Sequence, residues 1–445
     1  MASALMLLLA VLTQQTPTSI PTLPSADSIR AHVTSRAADP RFPGLAVGRL
    51  AGPDTLRITT GRGITRTTLF EIGSITKAFT GVLLADMVLR GEVALDDPVA
   101  KFLPEGSRVP ERDGAVITLR HLATHTSGLP PLPSNLAPAN WDDPYADYDQ
   151  TRLLEFLASH QLRRAPGAQY EYSNLGAGLL GYALARRSGT TYGRLVQTRI
   201  LERLGMTRSS IGDSPAAAIG HDGMGQPTSA WHLDALAGAG AIHSSLDDML
   251  RFAAAARDTV GGPLGPAMAL SQRQAFRVDS ITSVGLGWHR RTRNGRTLIW
   301  HNGGTGGFRS MLVVDPGASR AGIALGNSAV GVDDLGFALI DSATRLAALP
   351  PARATVRVDA ATLARYPGVY RLTPAFALTI TPRGRDGLYL QATDQQRFRL
   401  YATSPTEFFI SEVAASITFE ADSSGKVNAV ILHQNGANQR ALRER

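Results

Sequence analysis

Residues 70–79 read Phe70-Glu71-Ile72-Gly73-Ser74-Ile75-Thr76-Lys77-Ala78-Phe79. Beyond them, Phe79, Val82, Leu83, Met87 and Val88 recur at three- and four-residue spacing. That spacing predicts an amphipathic helix over 76–90, stopped by Gly91. Ser74 and Lys77 stand three positions apart at its start, so hydroxyl and amine share one face and can meet. The partial positive charge of a helix N-terminus favours a developing alkoxide and disfavours protonated lysine, and burial lowers the lysine pKa further. Such a serine is a candidate nucleophile. The competing reading is a capping serine beside a surface lysine. Against it, Lys77 sits in an apolar helix and is one of only three lysines, with Lys101 and Lys426.

Outward from this helix, 45–50 and 55–60 read as two strands across a Gly-Pro-Asp turn. The span 150–205 reads as helices with loops. Strands return at 297–301, 308–314 and 322–325, followed by a helix near 331–348. Strands, then helices, then strands describe an α+β domain whose helical part is inserted between strands of one sheet. Pro350-Pro351-Ala352 marks a boundary. After it, six strands (376–381, 387–393, 397–401, 407–411, 416–421, 428–433) recur with turn residues between them, a small all-β barrel or sandwich.

Composition narrows the function classes. The chain has 445 residues, 43% of them hydrophobic and 18% charged, which excludes a disordered chain. It has no cysteine, which excludes disulfides, a cysteine nucleophile and cysteine-ligated metal. The net charge of +8 is carried almost wholly by arginines spread along the chain, not by the basic arm or face of a nucleic-acid binder. The apolar run Leu5–Leu12 is too short to span a bilayer. It reads as the core of an export signal within residues 1–25, although no basic residue precedes it and no clear cleavage site follows. The expected location is the periplasm or the outside of the cell.

Two further stretches carry chemistry. Pro166-Gly167-Ala168-Gln169-Tyr170-Glu171-Tyr172-Ser173-Asn174 offers a phenol as base, its pKa lowered by a nearby cation, and an amide to hold substrate. The bland reading is a turn and a buried tyrosine. Leu298-Ile299-Trp300-His301-Asn302-Gly303-Gly304 ends a strand in a glycine-rich bend where substrate can approach the backbone. Alone, His301 reads as a structural histidine. Gly176-Ala177-Gly178-Leu179-Leu180-Gly181 mimics a dinucleotide fingerprint but follows a turn and lacks a βαβ unit. His121 and His125 have metal-like spacing but no third ligand close in sequence.

In this order, Ser74-x-x-Lys77, Tyr172-x-Asn174 and His301-x-Gly303 resemble the class C β-lactamase and penicillin-binding protein superfamily. His121 to Pro130 and Gly238 to Met249 are similar to further segments of it. The resemblance covers roughly residues 27–345, and the trailing β domain resembles one that many members carry. It implies an antiparallel sheet flanked by helices, with a helical subdomain, over 26–350, and a β domain over 355–445. It implies an acyl-enzyme at Ser74, proton transfer shared by Lys77 and Tyr172, and an oxyanion held by the N–H groups of Ser74 and Gly304. Asn174, His301, Gly303 and Gly304 would contact substrate, with no cofactor and no metal. The substrate would be a small amide or ester, a β-lactam first, or else a D-peptide or ester, with no nucleic-acid or integral-membrane partner. A non-catalytic binding member is the remaining alternative. Class C β-lactamases usually carry Lys-Thr-Gly at the third motif. Here it is His301-Asn302-Gly303, as in relatives that are esterases, amidases or peptidases, so an arginine such as Arg309 would have to recognise an anion.

Overall fold

The computed structural model describes residues 20–212, 217–349, 352–393 and 395–444. The Leu5–Leu12 run and the Pro350-Pro351 junction lie outside the described residues. Among the described residues, no helix is long and apolar enough to cross a membrane.

An eight-stranded antiparallel sheet carries the N-terminal part. Its order is Asp54–Gly61, Gly44–Ala51, Arg320–Gly326, Arg309–Asp315, Arg296–Gly304, His289–Arg293, Thr282–Val284, Phe276–Arg277. Gly44–Ala51 pairs with Arg320–Gly326, Leu45 opposite Gly326, so chain ends far apart in sequence close one sheet. The helices between them are inserted as expected. Three central strands are buried along nearly their whole length, because helices cover both faces.

The helix Thr76–Leu89 differs from its expectation in one respect. It is buried on all sides and runs through the main core. The Phe79 ring stacks on Phe252 at 3.8 Å, and Phe252 on Trp288 at 5.9 Å. The apolar residues counted as one stripe are part of a helix that is apolar all round, the mark of a central helix. The helix expected near 331–348 is also shorter, Asp333–Ala338. Asp341 ends that pattern: its carboxylate accepts the N–H of Ala343 at 2.9 Å and pairs with Arg296 at 2.5 Å. Local side-chain bonds of this kind compete with helix.

The C-terminal part is a closed barrel of eight antiparallel strands, from Gly368–Thr373 to Ala437–Arg443. The two strands beyond the expected six are its first and last, and they close it by pairing Tyr370 with Arg443. Its core holds Tyr366, Tyr370, Phe408 and Phe419, with the Tyr366 and Phe419 rings stacked at 3.9 Å.

Candidate active site

Gly73–Ile75 forms a 3₁₀ turn that leads directly into Thr76–Leu89 and places Ser74 at the mouth of the helix. Gly73 has φ +50°, and a Cβ there would stand 2.7 Å from the Gly304 nitrogen. A Cβ on Gly303 would meet the Ile72 carbonyl oxygen at 2.0 Å. The Ser310 hydroxyl, opposite Gly303, donates to that carbonyl at 2.8 Å. Only glycine lets the strand Arg296–Gly304 press against the serine turn this closely. That contact brings the backbone of Gly304 beside Ser74.

Lys77 is 1% exposed. Its Nζ lies 2.8 Å from each of three oxygens: Ser74 Oγ, Asn174 Oδ1 and the Ala239 carbonyl. Burial pushes its pKa well below the ordinary lysine value. The Asn174 and Ala239 oxygens can only accept, so they take two N–H groups. A neutral amine then has its lone pair left for Ser74, whose hydroxyl can donate. Asn174 opens the helix Asn174–Arg187, capped by the Ser173 hydroxyl accepting from Gly176 N at 2.8 Å. The same serine donates to the Pro130 carbonyl at 2.6 Å and anchors the preceding loop.

Tyr172 lines the pocket with Ser74, and Lys77 Nζ lies 4.9 Å from its ring centre. The expectation of a lowered phenol is reversed. Burial pushes it up, and the same burial lowers the pKa of the neighbouring lysine. Tyr172 is therefore a neutral phenol and not a standing phenolate.

His301 departs from its expected place. It is 1% exposed and lies behind the pocket wall, not in it. Its Nδ1 stands 2.6 Å from the Asn302 carbonyl, and its Nε2 has no hydrogen-bond partner among the described residues. Burial pushes its pKa well below that of free histidine. It is a neutral ring at neutral pH.

Sequence reasoning missed the company His301 keeps. The rings of His125, His289 and His301 lie 4.6, 6.3 and 6.3 Å from the Tyr172 ring. His125 Nδ1 accepts from Ser173 N at 3.1 Å, which places the proton on its other nitrogen. Tyr170 bonds His289 at 3.0 Å, and burial holds His289 near a pKa of about 4. His121, its supposed metal partner, instead closes a capping box with Thr118. Glu71, inside the decisive motif, was also unread. Its buried carboxylate accepts from Trp231 N at 3.1 Å, and burial raises its pKa to about 7.

The pocket over Ser74 has a volume of about 310 Å³, within the range of small-molecule sites. Tyr145, Trp231, Leu233 and Leu236 form an apolar wall, and Asn174, Asn302, Thr305 and Arg309 a polar one. Gly303 and Gly304 line it as expected. The Arg309 guanidinium donates to the Thr305 and Phe308 carbonyls at 2.8 and 2.9 Å. Burial lowers its pKa, against the raising charges of Glu412 and Asp333.

Residues 29–345 match the Beta-lactamase family, and residues 352–443 match a Domain of unknown function (DUF3471). The chain is 32% identical over 238 residues to the "Beta-lactamase" of Escherichia coli (strain K12), covering 51% of this chain and 59% of that one. The chain thus spans less than two thirds of that relative. It is 30% identical over 272 residues to the "D-alanyl-D-alanine-carboxypeptidase/endopeptidase AmpH" of the same organism, covering 55% and 67%. It is 26% identical over 420 residues to the "Penicillin-binding protein 4*" of Bacillus subtilis (strain 168), covering 87% and 90%.

Proposed function

Because the chain belongs to the Beta-lactamase family, we propose that it is a serine hydrolase, that Ser74 is its nucleophile and that it hydrolyses the β-lactam amide through an acyl-enzyme. The observation that carries this reading is the set of three oxygens around Lys77 Nζ, two acceptor-only and one the serine hydroxyl. A neutral amine in that cage can take the proton of Ser74 as its oxygen attacks the carbonyl. Such general-base help is worth about 10²–10⁴-fold. The N–H groups of Ser74 and Gly304 face the oxyanion, each worth about 10²–10³-fold. Tyr172, protonated through burial and in the pocket wall with Ser74, gives its proton to the leaving nitrogen and recovers one from the Lys77 ammonium. Water attacks the ester, its proton returns to Ser74 through the same pair, and the acid leaves.

In this reading the catalytic part spans 26–350, with the barrel over 355–445 outside the bond-breaking step. Export is part of it and rests on the Leu5–Leu12 run. The test is hydrolysis of a chromogenic cephalosporin by wild type and Ser74→Ala. Turnover lost in the variant supports the reading; equal turnover in both removes Ser74 from it.

A second reading keeps this site and changes the substrate to a D-alanyl peptide. The observation favouring it is His301, a buried neutral ring at the position of the family's usual lysine, which leaves Arg309 as the cation in the pocket wall. Release of D-alanine from a diacetyl-Lys-D-Ala-D-Ala peptide, with no cephalosporin turnover, decides for it.

A further inference from the structure

The barrel reaches the pocket. The turn between its strands Gly387–Ala392 and Arg397–Ala402 places the exposed Gln396 in the pocket wall with Ser74, Tyr145 and Trp231. The same hairpin grips a strap of the larger domain. Arg397 lays its guanidinium 3.3 Å from the centre of the Trp141 ring. Tyr389 donates to Asp142 Oδ1 at 2.8 Å, and Arg383, at the end of the preceding strand Phe376–Arg383, pairs with the other oxygen at 3.5 Å. One residue on, Asp143 Oδ2 meets His232 Nδ1 at 2.5 Å, and its Oδ1 accepts from His232 N at 2.9 Å. Tyr145 ends the strap and meets Trp231 edge-on at 5.3 Å, both in the pocket wall. The barrel thus supplies one wall residue and braces two others.

We propose that the barrel is a specificity element of the hydrolase, in which Gln396 hydrogen-bonds an amide-bearing chain of the substrate beyond the scissile carbonyl. This rests on the reading of Ser74 given above. A carboxamide offers two N–H donors and an acceptor, the complement of a substrate amide. It joins the carboxamides of Asn174 and Asn302 in the polar lining. A substrate without that chain leaves Gln396 in water and gains nothing from it. The interaction is made in ground and transition states alike, so it acts on binding more than on the bond-breaking step.

The test uses the full chain and two β-lactams that share one nucleus: benzylpenicillin, with an acylamido chain, and 6-aminopenicillanic acid, without it. The rate compared is the second-order rate of Ser74 acylation, read as kcat/KM where the adduct turns over and as adduct growth by intact mass at sub-saturating concentration where it does not, so that binding is included. In wild type benzylpenicillin is favoured. In Gln396→Ala the ratio of the two rates falls about threefold to tenfold, the range of one hydrogen bond. Gln396→Met keeps the length but offers neither the N–H donors nor the carbonyl acceptor, and its ratio falls as well. A ratio unchanged in Gln396→Ala, with wild type acylated normally, overturns the barrel's role and leaves the catalytic reading standing. Retention of the wild-type ratio by Gln396→Met alone reduces Gln396 to a space-filling wall and also overturns the proposal. Failure of both compounds to acylate wild type overturns the catalytic reading itself.

Discussion

In the mechanism proposed above, Lys77 decides when the site is active. Its pKa is lowered by burial, and the working form is the neutral amine, so acylation rises with pH through its folded pKa. The acid limb of kcat/KM is therefore expected well below the ordinary lysine value of 10.5. Asn174→Asp puts a carboxylate 2.8 Å from Nζ, stabilises the ammonium and moves that limb to higher pH. A limb that stays in place shows that Lys77 is not the titrating base. Glu71 makes a separate prediction about stability. Its carboxyl rises from 4.5 to about 7 in the fold, so the folded state holds a proton that the unfolded state releases. Its contribution is present at low pH and is lost as pH rises from 4.5 through about 7, roughly 3 kcal/mol in all. Glu71→Gln should melt above wild type at pH 8 and near it at pH 5, as read by differential scanning calorimetry. Ser74 and Lys77 were legible because a helix turn fixes their spacing. His289 was not, since Trp288-His289-Arg290 has no local pattern and only strand pairing brings its ring to Tyr172. Nor was the burial of His301, which depends on what packs over the strand.

The helix behind Ser74 is held at its far end by Asp86. This 6%-exposed carboxylate pairs with Arg90, Arg199 and Arg203 at 2.9, 3.2 and 3.0 Å. Removing one partner of a buried ion pair costs about 3–5 kcal/mol, and less here because all three arginines reach water. Asp86→Ala is expected to lower unfolding free energy by about 2 kcal/mol in urea, with the slope unchanged. An unchanged midpoint would mean that the arginines hold nothing. At this scale most strands were readable, because alternation and turn residues are local signals. Ala437–Arg443 was missed because nearly all its side chains face water and show no apolar period. The barrel needs that strand to close, and closure is invisible in a single segment.

At the scale of the molecule, two parts meet at a polar seam. Asp222, buried in the larger part, takes the Tyr401 hydroxyl at 2.5 Å and Arg399 at 3.4 Å from the barrel. Its other oxygen accepts from Met224 N and Gln226 N at 2.9 Å each, so the loop and the docking contact share one residue. Asp222→Ala leaves the buried Tyr401 hydroxyl without its acceptor, a cost of about 1–3 kcal/mol. Calorimetry should then show the barrel melting apart from the larger part, where wild type gives one transition. The division into two parts was legible from the change of strand spacing. Their seam was not, since Asp222, Asp142 and Trp141 lie in loops whose partners are more than 170 residues away.

The central claim is that Ser74 carries the acyl group. Its most direct test is the intact mass of wild type and Ser74→Ala after brief exposure to benzylpenicillin, followed by peptide mapping. The account predicts a single adduct on the peptide containing Ser74 in wild type and none in the variant. An adduct on another residue, or one that survives in Ser74→Ala, would contradict it.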